Sequence, residues 1–376
     1  MRIGAIASVR LMHAGNINLR YRPPDCRAAG LGRLGTEGRM TVETKVSTKY
    51  EPEELWFPCS LDIMGWDEHF HNLMLNDRLR MAVYKKAVKN AIEPGMAVLD
   101  LGTGTGILAR WALEAGAARV YGIEVSRKIL DIAEANLAQA GVADRFTPIN
   151  DLSYNVELPE KVDIIVSEII GNIGDNEDCA PILADARDRF LKPGGTMLPQ
   201  RLTPYFVPVA SPATNAQIQR GVCKSISAEQ DLQVLLDRLG VADPCEVYYD
   251  VVIPRSRHLA EPLAGRTLDF FSDGGETAYS FSLTFTATAD GEVTGIKGYF
   301  IAQLTDRDVL DISGDDPVSG TASDSWKHCY MPLARPLRVK AGDRIRLDVE
   351  RWPEKNESSA FAFRYRWRAE VLGDGA

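Results

Sequence analysis

Residues 98–109 read VLDLGTGTGILA, and few folds can use such a run. A short apolar segment suited to a buried strand gives way to Gly102, Gly104 and Gly106, and a helical pattern follows from residue 107 to 115. Glycine lets a backbone turn sharply and approach a ligand, and the helix that follows offers its positive N-terminus at the same place. The alternation then continues, with a strand at 120–124, a helix at 128–140, a strand at 162–168 and a helix at 181–191 before KPGG. Strands alternating with helices predict an α/β, doubly wound parallel sheet. Ahead of it, LMLNDRLRMAVYKKAVKNAI at 73–92 places apolar residues at helical intervals and predicts one helix.

The glycines are spaced GxGxG, whereas a nicotinamide site would show GxGxxG. Asp100 precedes them, and Glu124 ends the next strand, where an acid can accept hydrogen bonds from ribose hydroxyls. These residues are candidates for a nucleoside-containing cofactor, and Ser153 is included with them. A second signal lies further on, in DIIVSEIIGNIGDNEDC at 163–179, an apolar strand ending in Glu168 with another carboxylate at Glu177. Two converging carboxylates suit a planar cation with paired donors, and guanidinium, with five donors in a rigid fork, fits best.

The pattern changes after Pro199. Segments such as TPYFVPV, YSFSLTFTATA, GIKGYFIAQL and DRIRLDVERW read as regularly spaced strands of a barrel or sandwich. Residues 212–242, centred on SAEQDLQVLLDRLG, instead look helical and predict an arm that projects from the β domain to pack on a second copy of the chain. The expected division is therefore a tail at 1–45, a cofactor-binding domain at 46–199 and a β domain at 200–376.

Composition excludes several classes. No apolar run approaches the roughly 20 residues of a membrane helix, and six scattered cysteines (Cys26, Cys59, Cys179, Cys223, Cys245, Cys329) without a CxxC pair suggest neither a zinc site nor a disulfide framework. A reducing cytoplasm is the expected compartment. The net charge is −9, yet residues 1–39 hold seven arginines and two acids, which leaves −14 on the remainder. Such an acidic body repels nucleic acid and attracts basic partners. The Arg-rich, unpatterned start predicts a disordered tail: either a transit peptide or, as favoured here, sequence upstream of a true start at Met40.

The chain resembles the protein arginine methyltransferases, which bind S-adenosylmethionine on a Rossmann-like domain followed by a β-barrel. The resemblance runs from about Phe70 to the C-terminus. VLDLGTGTGILA and GIEV resemble the cofactor motifs, and SEIIGNIGDNE resembles the double-glutamate loop, its GDNE ending nearest the branch that makes symmetric dimethylarginine. MLNDRLR at 74–80 is similar to the helix that closes over the cofactor, which implies that Arg80 meets the methionine carboxylate with His71 nearby. Met74 aligns with a methionine of the asymmetric-type enzymes. The family's Thr-His-Trp loop appears as Asp324-Ser325-Trp326, a departure that removes a histidine partner for Asp77, although the symmetric branch also carries Ser-Trp here. The paired-tyrosine motif is not evident, and Trp66 and Phe70 stand in roughly that region.

The resemblance implies catalytic roles for Glu168, Glu177, Trp326, Ser325 and Asp77, a homodimer, and methyl transfer to arginine in a protein, free arginine or a small guanidino compound. Trp326 is expected to stack on the guanidinium plane. Methylation of lysine or another amine would need only one carboxylate, and an inactive dimeric interaction protein would have no need of the glycine turn, Glu124 and both clamp acids. A chain beginning at Met40 is expected to melt and turn over like the full chain; a fall in melting temperature of several degrees would show that the tail belongs to the fold.

Overall fold

The computed structural model describes residues 51–60, 68–224, 229–315, 322–323, 325–353 and 363–373. The Arg-rich tail, Met40, Trp66 and Asp324 lie outside the described residues. The first elements are α1 (Glu68–Leu75) and α2 (Arg78–Ala91). The single helix expected here is divided because Asp77 adopts an extended backbone (φ −69°, ψ 106°) and its carboxylate accepts from Arg80 N, capping α2.

The alternating region is β1 (Ala97–Leu101), α3 (Ile107–Glu114), β2 (Arg119–Ile123), α4 (Arg127–Gln139), β3 (Phe146–Ile149), β4 (Val162–Ser167), α5 (Cys179–Phe190) and β5 (Leu191–Leu198). The expected elements keep their order, and β3 and β5, the latter containing KPGG, are two strands that the sequence pattern did not predict. The strands form a parallel sheet in the order β3-β2-β1-β4-β5. Every residue of β1 is buried, as befits a strand covered on both faces. Strand order reverses at β1 and β4, where Leu101 pairs with Ser167. Ligands of open α/β sheets bind at the carboxyl ends of the strands at such a switch point. The glycine turn leaves β1 and Glu168 leaves β4 at that place, so two signals about sixty residues apart in sequence become neighbours.

Beyond Pro199 the elements are β6 (Arg201–Val209), α6 (Pro212–Arg220), β7 (Val222–Lys224), β8 (Glu229–Asp231), α7 (Leu232–Leu239), β9 (Tyr249–Val251), β10 (Leu263–Ala264), β11 (Leu268–Asp269), β12 (Tyr279–Thr286), β13 (Gly291–Gln303), β14 (Val309–Asp311), β15 (His328–Val339), β16 (Arg344–Pro353) and β17 (Phe363–Leu372). A sheet with the path β10-β6-β13-β15-β9 and a smaller antiparallel sheet β12-β16-β17 share one core, where Phe206, Val293 and Ile296 meet Phe285, Ile345 and Leu347. This is the expected β domain. Leu202, Phe300 and Leu310 from it join the core of the parallel sheet, so the two domains are packed without a break.

The arm differs in detail from the expectation. Residues 212–242 form two short helices, with β7 and β8 pairing between them. Leu232, Leu235, Leu236 and Leu239 are buried on their own chain against Leu55, Val207, Tyr249 and Tyr330. The sequence shows an amphipathic helix, but it cannot show that a strand and a preceding segment of the same chain cover its apolar face. Among the described residues of α7, Val234 is an exposed apolar side chain, at 61%. Leu236→Ala should lower unfolding free energy by about 2–5 kcal/mol in urea titration, the scale of a truncated core leucine; an unchanged midpoint would show that this face is not packed within the chain.

Candidate active site

A cavity of about 500 Å³ opens at the switch point, within the size range of small-molecule sites, roughly 300–1,000 Å³. His71, Arg80, Gly102, Gly104, Glu124, Ser153, Glu168, Glu177, Ser325 and Trp326 all line it. The other predicted residues, Asp77, Asp100 and Gly106, stand behind that wall. Asp100 is fully buried, and its Oδ2 accepts from the Thr103 hydroxyl at 2.6 Å and from Ala109 N at 2.9 Å, which ties the strand end to the start of α3. Burial pushes its carboxyl up to about 7, against the pull of those two hydrogen bonds. Gly106 takes a left-handed backbone (φ 84°) at the N-cap of α3, close against Ala133.

The turn suits close approach by a ligand. Gly104 has φ 52°, and a Cβ there would fill the space beside the His71 ring at 3.5 Å. Glu124 accepts from Gly104 N (3.1 Å) and Ser126 N (2.9 Å), so its carboxylate is held at the cavity wall with acceptor capacity remaining. Burial raises its pKa. Backbone amides, a fixed acid and a helix N-terminus fit a nucleoside-containing cofactor such as S-adenosylmethionine.

On the opposite side, Arg80 reaches across from α2. Its guanidinium is ion-paired with Glu168 and lies over the Trp326 ring, 4.4 Å from the centroid. Trp326 is fixed edge-on to Phe300 and donates its indole N–H to Ile170 O at 2.8 Å. The serine that replaces histidine in this loop has a partner: Ser325 donates both N–H (3.0 Å) and hydroxyl (2.7 Å) to Asp77 Oδ2, and Ser323 donates to the same oxygen. Asp77 therefore joins the α2 N-terminus to the Ser-Trp loop. Glu177 is driven up to about 7, chiefly by burial, with Arg80 opposing and Asp250 reinforcing the shift.

A methyltransferase-domain model matches residues 98–195, and a model described as the PRMT5 oligomerisation domain matches 201–371. Over 292 residues the chain is 30% identical to an arginine N(omega)-methyltransferase of Streptomyces achromogenes subsp. streptozoticus, covering 74% of each. The chain belongs to the arginine N-methyltransferase family. Protein arginine N-methyltransferase PRMT10 of Arabidopsis thaliana is 42% identical over 189 residues, 49% of this chain and 45% of that protein. In fold, the chain is similar to a solved structure of Arabidopsis thaliana protein arginine methyltransferase 10 (TM-score 0.65, 22% identity, 82% and 98% of the two chains). It is also similar to the Trypanosoma brucei PRMT1 enzyme-prozyme complex with AdoHcy (TM-score 0.67, 21% identity, 81% and 93%).

The methyltransferase cavity also has walls that the sequence reading missed. Asp250, on β9, accepts from Cys59 N (3.0 Å) and from the Asn172 amide (2.6 Å) and lines the cavity with Ser60 and Lys327. Burial lifts its carboxyl to about 6. A lone aspartate within the apolar strand EVYYDVVI was the available signal. Among the described residues no group of His, Cys, Asp and Glu is placed to hold a metal, no disulfide joins the five described cysteines, and no helix is long and apolar enough to cross a membrane. Glu124→Ala should weaken S-adenosylhomocysteine binding by about 1–3 kcal/mol, the scale of a lost charge-assisted hydrogen bond; unchanged affinity in calorimetry would move the ribose contact elsewhere.

Proposed function

We propose that residues 46–199 bind S-adenosylmethionine and that, together with the Ser-Trp loop of residues 200–376, they methylate a guanidino nitrogen of arginine. The observation that carries this reading is the seat itself: between Glu168 and Trp326 lies a guanidinium, that of the chain's own Arg80. A site whose charge and aromatic face accommodate one guanidinium suits another. When bound, S-adenosylmethionine supplies an electrophilic methyl group on a sulfonium cation.

The glycine turn, Glu124 and Ser153 hold the nucleoside end in this reading, and Arg80 leaves its seat on Glu168 for the methionine end, beside His71, as cofactor and substrate bind. Glu168 and Glu177 then grip two nitrogens of the substrate fork, offset the repulsion between two cations, and draw positive charge away from the third nitrogen. That nitrogen is left more nucleophilic, and its orientation is fixed by Trp326 below the plane. A carboxylate of the pair accepts the proton released as the new N–C bond forms. Asp77 acts through Ser325 and the α2 N-terminus and keeps both sides of the seat in place. The first product is monomethylarginine, with limited second transfer.

The substrate is arginine, free or within a polypeptide; the Streptomyces relative is named for arginine and the plant relative for protein arginine. Assembly as a homodimer through the region of α6 and α7 is part of the same proposal, supported by the exposed Val234 and by the oligomerisation-domain match.

Incubating the full chain with labelled S-adenosylmethionine and either free arginine or a cell lysate tests the reading and separates the two substrate forms. Glu168→Gln should cut turnover by several orders of magnitude while leaving cofactor affinity within a few-fold; near wild-type methylation would displace the active site. The pH dependence follows from Glu177, whose ionised form is needed and whose pKa is raised to about 7. Log kcat/KM should climb with pH below about 7 and level off above it, and a profile flat from pH 5 to 8 would remove Glu177 from the clamp.

A further inference from the structure

Glu177 sits in a short loop, and loops seldom hold a side chain to the tolerance catalysis requires unless something outside them fixes the backbone. Here the support comes from the far domain. In the sheet β12-β16-β17, Tyr279 pairs with Arg351 and Arg351 pairs with Tyr365, one residue in register on each strand. Residues paired in this way present side chains on the same face, and this row meets the loop on either side of Glu177.

The Arg351 side chain is completely buried. It donates to Asp175 O at 3.1 Å, to Asp178 Oδ1 at 2.9 Å, to Thr277 O at 2.8 Å and to the Tyr365 hydroxyl at 3.0 Å. Tyr365 and Tyr279 in turn donate their hydroxyls to the two oxygens of Asp175, at 2.7 Å and 2.6 Å. Asp178 has φ 64°, a left-handed backbone unusual for aspartate, and makes no side-chain cap for α5 because its carboxylate is turned to Arg351. Asn176 is held as well, accepting from Ile173 N and donating to Asn172, Ser60 and Tyr248. Residues 175, 176 and 178 are thus each anchored while Glu177 faces the cavity.

We propose that the row Tyr279-Arg351-Tyr365 is the positioning element of the clamp: it holds the backbone on both sides of Glu177 and so sets where that carboxylate meets the substrate guanidinium. The inference rests on the arginine-methyltransferase reading of this cavity. None of the three residues touches substrate or cofactor; they act through Asp175 and Asp178. Keeping the loop against the β domain also keeps water from Glu177. The titratable groups around it are Arg80 on α2, Asp250 on β9, Cys59 ahead of α1 and Cys179 on α5, with Glu168 and Lys327 on the same cavity wall. Loosening the row changes the hydration and placement of Glu177 and of the flanking Asp175 and Asp178, and leaves Arg80, Asp250, Glu168 and Lys327 in place.

Tyr365→Phe in the full chain removes one hydroxyl, and Arg351→Lys keeps the charge but loses the fork. In Tyr365→Phe, kcat/KM for arginine should fall about tenfold with S-adenosylhomocysteine affinity within twofold. In Arg351→Lys the fall should approach a hundredfold. The Glu177 carboxyl should titrate at lower pH in both, followed by 13C NMR of carboxyl-labelled glutamate with Glu177→Gln giving the assignment. The NMR titration does not depend on turnover: if the wild type fails to methylate arginine, the activity reading falls alone, and a shifted titration still supports the positioning role. If Tyr365→Phe is folded by circular dichroism and keeps both the wild-type kcat/KM and the wild-type Glu177 titration, the positioning role is overturned. Should Arg351→Lys fail to fold, Tyr365→Phe decides the matter.

Discussion

A carboxylate that grips a guanidinium must be ionised, and burying it opposes that ionisation. In the proposed clamp this conflict falls on Glu177. Burial lifts its pKa to about 7, and Arg80 is the cation that opposes the shift. An exposed glutamate would stay charged without help, but its attraction for a cation would be screened by water. A buried one attracts strongly, provided that cations and fixed dipoles surround it. The Arg80 guanidinium, paired with Glu168 over Trp326, keeps this acidic cavity from standing uncompensated. Truncating Arg80 would accordingly leave buried acids without their cation, and its effects would not be confined to cofactor binding.

The two domains divide the task according to what each fold can hold. The parallel sheet brings the ends of β1 and β4 together, so the glycine turn and Glu168 lie side by side through main-chain pairing alone. It cannot orient the far side of the cavity. That is supplied by Trp326 and Ser325, which precede β15, and by the row on β16 and its neighbours that grips the loop around Glu177. Asp77 ties the helix side to the Ser-Trp loop with one carboxylate shared among three donors from that loop and one from α2. Such a shared acceptor is costly to leave unmatched, and for that reason it specifies one arrangement of the two parts.

What could be read beforehand follows the range of the interaction. The glycine turn, Glu124 and the alternation of strands and helices are local signals; Gly102, Gly104 and Glu124 line the cavity, whereas Asp100 is buried behind its wall and ties β1 to α3. Glu168 and Glu177 were visible as a pair because they lie only nine positions apart. The division of the first helix at Asp77 was not visible, since LMLNDRLR is apolar at the right intervals on both sides of the cap. Nor was the packing of α7 onto Leu55 and Tyr330, because periodicity identifies an apolar face and leaves its cover unspecified. Asp250 and Arg351 escaped notice for a similar reason: each is a single charged residue in a strand pattern, and only pairing across 78 and 173 residues, with Asn172 and Asp178, reveals what each one holds.

The replacement of histidine by serine before Trp326 shows how a departure from a motif can preserve its mechanics. A histidine would meet Asp77 with one ring nitrogen. Ser325 meets it with a hydroxyl and a main-chain N–H, and Ser323 adds a third donor. The hydrogen-bonding demand of Asp77 is met by these three donors. Arg80 approaches the Ser325 hydroxyl at 3.5 Å. With serine at this position the Asp77 link between the α2 N-terminus and the loop is therefore intact.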